Sequence, residues 1–365
     1  MPRAILLLLT DLQIGGTPTV VRELAIRLNA PPAVRVDVAC LAGRGPVADQ
    51  LEAAGIRVFP LNAGGPRDIK VLAALRRLIA ANQYDTVFSF LLHANAAAAL
   101  VAPSLPGVRF FQSIQTTQPH PRWHWLVQSV VQHAAERIVV PSPSVAQVAQ
   151  EWADVPRHKI AAIPNAIDFH GGTGVPPVES ACNRRDAHAP RHPIPIGFIG
   201  RLDPVKRIPD LLHAVRLLGG RVHLNVFGAG AERGPIEQII RELDLTKAVT
   251  LHGAIDHPQR ALEKIDILVL PSAAEGFGLV LIEAMAAGVP VVATNVPGIR
   301  DVVRAGQTGI LVPPFSPPEL ARAIQSILDD KALRDRLVAQ AYEDVARRFT
   351  WDVVLPQYRA LLGLA

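Results

Sequence analysis

The residues best suited to chemistry lie between Ser272 and Pro290. Glu275 and Glu283 are separated by seven residues, and Gly276-Phe277-Gly278 directly follows the first of them. Buried-strand patterns precede and follow this stretch, which predicts the order strand, glycine-rich turn, helix, strand. The glycines allow close backbone approach, and the helix that follows offers free N–H groups and a positive dipole end to a phosphate. Two carboxylates beside an anion-binding turn suit a ligand with both hydroxyls and phosphates, as a nucleotide sugar has.

Two cations follow another predicted strand, Ile196–Ile199. Arg201 lies just beyond the strand, and Lys206 lies at the start of the next predicted helix. An Arg fork and a Lys point charge can neutralise a diphosphate, most of all when it departs. The alternative is that both are solvated surface charges. No Asp-x-Asp motif follows a predicted strand, so we predict metal-independent chemistry with no cofactor beyond the donor substrate.

Two further candidates follow strands of the first half of the chain. Gly15 and Gly16 precede a helix predicted to begin near Pro18, and paired glycines there suit close approach to a phosphate or sugar. A tight strand–helix turn explains them equally well. His93 follows the strand that ends near Phe90 and precedes an alanine-rich helix. It is interpreted as a functional residue, with a capping or packing role as the alternative.

Two other glycine or asparagine motifs are interpreted as turns. Phe227-Gly228-Ala229-Gly230 lacks the spacing of a dinucleotide fingerprint, because Gly234 comes one residue late. It is predicted to be a strand–helix turn beside the nucleotide. The segment from Pro164 to Asp168, with sequence PNAID, has turn chemistry and is a hinge candidate.

Length and composition predict a two-domain α/β protein. The chain has 365 residues, of which 49% are hydrophobic, and strand and helix patterns alternate throughout. We predict two doubly wound domains that face a cleft, because open parallel sheets bind ligands at the carboxyl ends of their strands. The predicted domains are 1–168 and 196–348, joined by a low-complexity linker over 169–195, with a C-terminal helix in 349–365.

Targeting signals and disulfides are not expected. The apolar run Ala4 to Leu9 is too short for a signal peptide and is interpreted as the first strand. No run approaches the length of a membrane-spanning helix. The two cysteines, Cys40 and Cys182, are far apart, which is typical of a reducing compartment, so a cytoplasmic location is predicted.

Taken together, these motifs resemble the retaining glycosyltransferases of the GT-B fold in glycosyltransferase family four, also called glycosyl transferases group 1. The two glutamates with their GFG turn, the Gly-Arg…Lys element and PNAID carry the resemblance, which runs nearly from end to end. It implies transfer of a hexosyl unit from a nucleoside-diphosphate sugar with retention of configuration, in glycan or glycolipid synthesis at the cell envelope or in exopolysaccharide.

The resemblance also implies roles for individual residues. Glu275 would face the donor sugar and Glu283 the ribose, while the backbone from Phe277 to Leu279 would hold sugar and phosphate. Arg201 and Lys206 would bind the diphosphate. Gly16 would approach the phosphate from the first domain, His93 would lie by the reacting sugar, and the terminal helix would pack on the first domain.

Two other functions share parts of this pattern. A sugar-nucleotide epimerase of the same fold would turn over its donor without an acceptor. A non-catalytic nucleotide-sugar-binding protein would not need the intact glutamate and Arg/Lys pairs. A nucleic-acid partner is not expected, because no basic stripe with interleaved aromatics is present.

The acceptor side carries a charge excess. The first 168 residues hold 15 Lys or Arg against 11 Asp or Glu. The basic segment Arg67 to Arg77 and the loop from Gln115 to Trp125 would suit peripheral contact with an anionic membrane. The alternative is that the Arg67 segment is an ordinary helix with its apolar stripe in the core.

Overall fold

The computed structural model describes residues 3–65, 68–169, 193–255 and 257–364. Within it the chain forms two compact units. Unit 1 comprises Met1–Asn165 and Val354–Ala365, and unit 2 comprises Ala166–Val353. The division after Asn165 falls inside the PNAID segment that the sequence marked as a hinge candidate. Residues 170–192 of the predicted linker lie outside the described residues.

Unit 1 is built on a seven-stranded parallel sheet in the order β3-β2-β1-β4-β5-β6-β7. Ile5 to Leu9 are completely buried, as expected of a strand that is covered by helices on both faces. The strands are β1 (Arg3–Leu9), β2 (Val34–Cys40), β3 (Val58–Pro60), β4 (Thr86–Phe90), β5 (Arg109–Ser113), β6 (Arg137–Val140) and β7 (Ile160–Ala162). The α-helices are α1 (Gly16–Leu28), α2 (Pro46–Ala53), α3 (Lys70–Ala81), α4 (Leu92–Val101), α5 (Trp123–Val131) and α6 (Pro143–Ala153).

Unit 2 is built on a six-stranded parallel sheet in the order β10-β9-β8-β11-β12-β13. The strands are β8 (Ile194–Ile199), β9 (Val222–Phe227), β10 (Val249–Gly253), β11 (Ile267–Leu270), β12 (Val291–Thr294) and β13 (Ile310–Val312). The α-helices from here to the end of the chain are α7 (Ile208–Leu217), α8 (Arg233–Glu242), α9 (Pro258–Leu262), α10 (Leu279–Ala286), α11 (Ile299–Val302), α12 (Pro317–Asp329), α13 (Lys331–Arg348) and α14 (Trp351–Leu362).

The predicted fold class, two doubly wound α/β domains, is therefore confirmed. In both sheets the first strand of the unit lies inside the sheet and the strand order reverses beside it, which defines a topological switch point. The loops at the carboxyl ends of the strands near this point are where ligands bind in such sheets.

The end of the chain returns to unit 1. Tyr358 of α14 is completely buried, with its ring centroid 6.2 Å from that of Phe88. Arg109 Nη1 donates a 3.1 Å hydrogen bond to the carbonyl of Leu362. These contacts place the last part of α14 on the β4–β5 region of the first sheet, as the resemblance implied.

Local backbone geometry sets two element boundaries in unit 1. Strand β3 begins at Val58, because the Ile56 N–H before it bonds the carbonyl of Leu51 in α2. Helix α4 begins at Leu92. Leu91 adopts a left-handed backbone angle, φ 72°, that turns the chain directly into the helix.

No helix in the described part of the chain combines the length and apolarity needed to cross a bilayer.

The structure also shows which side of the basic segment after Arg67 is buried. Helix α3 buries Leu75 and Ile79 in the core of unit 1, so it is an ordinary core helix with basic residues on its outer side. Arg67 itself lies outside the described residues.

Candidate active site

The first glutamate of the motif lies on the loop after β11, where neighbouring side chains hold it in place. Glu275 Oε1 accepts a 2.8 Å hydrogen bond from Ser272 Oγ and pairs with Lys206 Nζ. The side chains of Lys206 and Glu275 are 17% and 13% exposed, so water screens their contact only in part. Sequence reasoning selected both residues for one site, and the structure brings them together although 69 positions separate them.

Glycine at 298 allows the Glu275 loop to adopt its path. Gly298 has φ 85°, and a Cβ there would lie 2.2 Å from the carbonyl oxygen of Glu275. Gly278, with φ 79°, caps the N-terminus of α10 in the left-handed region. Sequence reasoning found Gly278 but missed Gly298, which the turn signal Pro297-Gly298 marks only as a loop.

Phe277 contributes its backbone and not its ring to any ligand site. The ring is buried and stands edge-on to Phe349, with the centroids 5.5 Å apart. The phenylalanine therefore anchors the turn, while the glycines around it and the first N–H groups of α10, starting at Leu279, are the groups suited to a sugar or phosphate.

Glu283 lies one turn inside α10 in a different environment. It keeps part of its surface exposed, yet the residues before and after it, Ile282 and Ala284, are completely buried. Burial raises the pKa of the Glu283 carboxyl to about 7. In the described part of the chain its carboxyl has no hydrogen-bond or ion-pair partner. A ligand hydroxyl would supply the hydrogen bond that this carboxyl lacks.

Arg201 is placed differently from Lys206. Its side chain is 69% exposed and forms a 2.8 Å ion pair with Asp203. Lys206 lies in a short 3-10 turn, Pro204–Lys206, and α7 begins two residues later at Ile208. The structure therefore joins Lys206 to the Glu275 loop and leaves Arg201 on an exposed loop of the same unit.

The glycines after β9 have a structural explanation. A Cβ on Gly228 would lie 1.8 Å from the carbonyl oxygen of Gly200, and one on Gly230 would lie 2.4 Å from that of Leu202. The loop after β9 thus packs backbone to backbone on the loop that carries Arg201. This agrees with the interpretation of the segment as a strand–helix turn.

No such crowding explains Gly16 in unit 1. Helix α1 begins at Gly16 with Gly15 as its N-cap, and a Cβ at Gly16 would meet no atom of the described residues within 4 Å. Packing therefore does not require glycine at this position, and close approach of a ligand stays a prediction.

His93 lies in the first turn of α4 and is exposed. Its ring centroid is 6.2 Å from that of His124, which belongs to α5. Sequence reasoning singled out the loop from Gln115 to Trp125 but did not identify His124. This stretch is rich in Trp, Pro and His, and nothing in the sequence distinguishes His124 from its neighbours.

A pocket opens beside this histidine pair in unit 1. It encloses about 370 Å³ of empty space, part of it open to solvent. Its polar lining consists of Asn95, Ser113, Gln115, Thr116, His124 and Gln128. Asn165 of the PNAID segment donates a 3.3 Å hydrogen bond to Gln115, which ties the end of unit 1 to the wall of the pocket.

Among the described residues, no group of three or more His, Cys, Asp or Glu side chains is arranged to hold a metal ion. The positive charge at the Glu275 loop comes from Lys206.

Comparison with known proteins supports the resemblance to the family four glycosyltransferases that the sequence motifs carried. The family model for glycosyl transferases group 1 matches residues 183–344, and that for glycosyltransferase family 4 matches residues 14–170. Side by side, the two models cover most of both units. The chain belongs to the family 4, group 1 glycosyltransferases.

Individual relatives and structures are similar to parts or all of the chain. The glycogen synthase of Mycobacterium tuberculosis is 34% identical over 168 residues, which are 44% of this chain and 40% of that protein. The D-inositol 3-phosphate glycosyltransferase of Paenarthrobacter aurescens is 30% identical over 266 residues, which are 68% of this chain and 63% of that protein. The chain thus spans less than two thirds of these curated relatives.

A solved structure resembles the whole chain. The crystal structure of Anabaena HepE in complex with UDP and glucose superposes with a TM-score of 0.85 at 19% identity, covering 100% of both chains. At this identity the likeness establishes the fold.

Proposed function

We propose that this chain is a retaining, metal-independent glycosyltransferase that moves a hexosyl unit from a nucleoside-diphosphate sugar to an acceptor in cell-envelope or exopolysaccharide glycan or glycolipid synthesis. The observation that carries the proposal is the loop and helix after β11. The loop holds the Lys206–Glu275 pair, and the helix holds Glu283, whose carboxyl has no partner among the described residues. Family membership and the names of the relatives support it.

The residues of unit 2 divide the work on the donor. Glu283 accepts hydrogen bonds from ribose hydroxyls, and Glu275 accepts them from the sugar. Lys206 stabilises the negative charge that develops on the departing diphosphate. Arg201, on its exposed loop, contributes a second cation once it exchanges Asp203 for phosphate. The backbone from Gly276 to Leu279 holds the sugar and its phosphate.

The bond changes need no covalent enzyme intermediate. The glycosidic C–O bond to the diphosphate breaks, and the acceptor oxygen attacks the same face of the sugar. The departing phosphate takes the proton of the acceptor hydroxyl. In unit 1, Gly15 and Gly16 permit backbone approach to the phosphate, and His93 lies by the reacting sugar. The protein's contribution is positioning and charge stabilisation.

A screen of nucleotide sugars by thermal shift tests the donor assignment. UDP-glucose, UDP-galactose, GDP-mannose and ADP-glucose are added to the full chain in excess EDTA. A donor at about 100 times its Kd stabilises the fold by about 2.7 kcal/mol, so one of these compounds should raise the melting temperature. Glu283→Gln should abolish most of that rise. No rise with any compound, or a rise that only added metal restores, would overturn the assignment.

Neither alternative function gains support from a specific feature. The described residues offer no observation that favours an epimerase or a pure binding protein over a transferase.

Peripheral membrane contact stays a proposal, and of the two segments predicted for it we retain the one that leads from the loop after Gln115 into α5. On α5, Trp123, Leu126 and Val130 are 53%, 68% and 67% exposed at spacings of three and four, so they share one side of the helix. Arg122 precedes them. Co-sedimentation with vesicles containing anionic lipid should fall when Trp123 and Leu126 become Ser, while Leu217→Ser in unit 2 should change nothing. Equal sedimentation of all variants would exclude α5 as the contact.

A further inference from the structure

The pocket in unit 1 has a rigid polar frame whose hydrogen bonds are internal. Asn95 is 1% exposed and uses its whole amide: Nδ2 donates to the Ser113 carbonyl at 3.1 Å and to Gln128 Oε1 at 3.1 Å, and Oδ1 accepts from Ser89 Oγ at 2.8 Å. Gln128 Nε2 in turn donates to Gln112 Oε1 at 2.9 Å. The frame fixes the wall of the pocket before any ligand enters.

Several lining groups still have hydrogen-bonding capacity. Gln128 and Gln115 each retain one of two amide N–H donors, because Gln115 Nε2 donates once, to Ser113 Oγ at 2.7 Å. The Thr116 hydroxyl accepts from the Gln118 N–H and can still donate. The His124 ring has no hydrogen-bond partner among the described residues, so it offers one donor and one acceptor.

The lining is also uncharged as far as the structure describes the chain. The described residues that line the pocket include no Lys, Arg, Asp or Glu. Burial, reinforced by the neighbouring His93, lowers the pKa of His124 and so favours the uncharged form of its ring. A phosphate placed here would lose water without gaining a counter-charge, which is costly. A hydroxyl both donates and accepts, and so matches neutral amides, a threonine hydroxyl and a neutral imidazole.

We infer that this pocket receives a neutral, hydroxyl-rich ring of the acceptor, a sugar or cyclic polyol, and discriminates against a phosphorylated one. This inference rests on the proposed transfer function and narrows its acceptor class. It makes Gln115, Thr116 and His124 specificity-determining residues of unit 1.

Matched pairs of probes test the inference without donor or turnover. Binding of glucose, glucose 6-phosphate, myo-inositol and myo-inositol 3-phosphate to the full-length protein is measured by saturation-transfer NMR titration. In at least one pair the neutral member should bind, and its phosphate should bind at least about tenfold more weakly, the scale of one unpaired buried polar group. Tighter or equal binding of the phosphate, or no binding of either neutral probe, would overturn the inference.

Substitutions locate the binding. His124→Phe keeps an aromatic ring but removes both ring nitrogens, and should weaken the neutral probe by about fivefold, the scale of one hydrogen bond. Thr116→Lys should shift preference toward the phosphate. His133→Phe is the matched control, since His133 is exposed and outside the pocket lining. Unchanged binding in His124→Phe and Thr116→Lys would place the probe elsewhere and contradict the inference.

Failure of the proposed function is distinguishable from failure of this inference. Absence of nucleotide-sugar binding with normal probe selectivity would reject the donor assignment and keep the neutral pocket. Normal donor binding with phosphate preference would do the reverse.

Discussion

Glu275 and Glu283 are separated by seven residues, yet their surroundings differ. Glu275 is held by Ser272 and Lys206, so its position is fixed before a ligand binds. Glu283 has no partner in the described part of the chain and is strongly desolvated. The first arrangement favours orienting a reacting group, and the second favours binding a ligand hydroxyl.

Lys206→Met tests the charge assigned to the diphosphate. We expect turnover of the matching nucleotide sugar to fall by at least about 10²-fold, the scale of a lost transition-state charge contact, with the fold intact by circular dichroism. Lys247→Met removes an exposed lysine of the same unit and should leave turnover unchanged. Turnover near wild type in Lys206→Met would remove this lysine from the mechanism.

The pKa of Glu283 predicts a pH dependence of stability. Burial raises this pKa from 4.5 to about 7, so the folded state binds more protons than the unfolded state between these values. The free energy of unfolding therefore falls as pH rises through this window. Glu283→Gln should match wild type near pH 4 and exceed it above pH 7 by up to about 3.5 kcal/mol, since one pKa unit corresponds to about 1.4 kcal/mol. Urea unfolding at several pH values measures this, and a difference independent of pH would disprove the environment described for Glu283.

At the scale of elements, the strand-end loops contain glycines of two kinds. At Gly228 and Gly298, a Cβ would lie within 2.2 Å of a carbonyl oxygen from a neighbouring loop. Gly16 is the first residue of α1, and a Cβ there would meet no atom of the described residues within 4 Å. Packing between loops requires the first kind, whereas for the second kind we expect a bound ligand to be the reason for glycine.

A pair of alanine substitutions separates the two kinds. Gly228→Ala should destabilise unit 2 by about 2 kcal/mol or more, because the new Cβ collides with the Gly200 carbonyl. Gly16→Ala should leave stability unchanged or raise it by up to about 1 kcal/mol, since alanine favours a helix. Its turnover should nevertheless fall by about tenfold or more through displacement of the phosphate. Urea unfolding and donor turnover check both. Unaltered turnover in Gly16→Ala would reduce this glycine to a turn residue.

Helix α14 supplies a large core residue with an unsatisfied hydroxyl. Tyr358 is completely buried, and its hydroxyl has no hydrogen-bond partner in the described structure. Tyr358→Phe should therefore be neutral or stabilising by about 1 kcal/mol, because an unpaired buried hydroxyl costs free energy. Tyr358→Ala should cost about 3–5 kcal/mol through the cavity left against Phe88. Thermal unfolding distinguishes them, and a strongly destabilised Tyr358→Phe would reveal a partner for the hydroxyl.

At the scale of the whole molecule, the regular alternation of strands and helices could be predicted from the sequence. Buried strands such as β1 alternate with helices, and this periodicity was enough to predict two doubly wound units. The same pattern indicated which residues to propose for the ligand site, because loops after strands are where such sheets bind ligands. Glu275, Glu283 and Lys206 were proposed on this ground.

Other features had no local signal. The carboxamide frame joins Asn95 to Gln128, which are 33 positions apart and are ordinary polar residues in the sequence. The start of α4 depends on a positive φ at Leu91, and leucine in a sequence does not predict a positive φ. Glycine is needed at 298 because the Glu275 loop packs against it. These are contacts between distant segments, and single-residue patterns do not encode them.

One measurement tests the central claim of sugar transfer most directly. Full-length protein is incubated in EDTA with the nucleotide sugar selected by thermal shift and with the neutral polyol that binds unit 1, and the reaction is followed by proton NMR. The account predicts that nucleoside diphosphate and a new glycoside appear in equal amounts, with the anomeric configuration of the donor, and that neither forms when the polyol is omitted. Donor consumption without the polyol, an inverted glycoside, or no reaction with a donor that binds would contradict it.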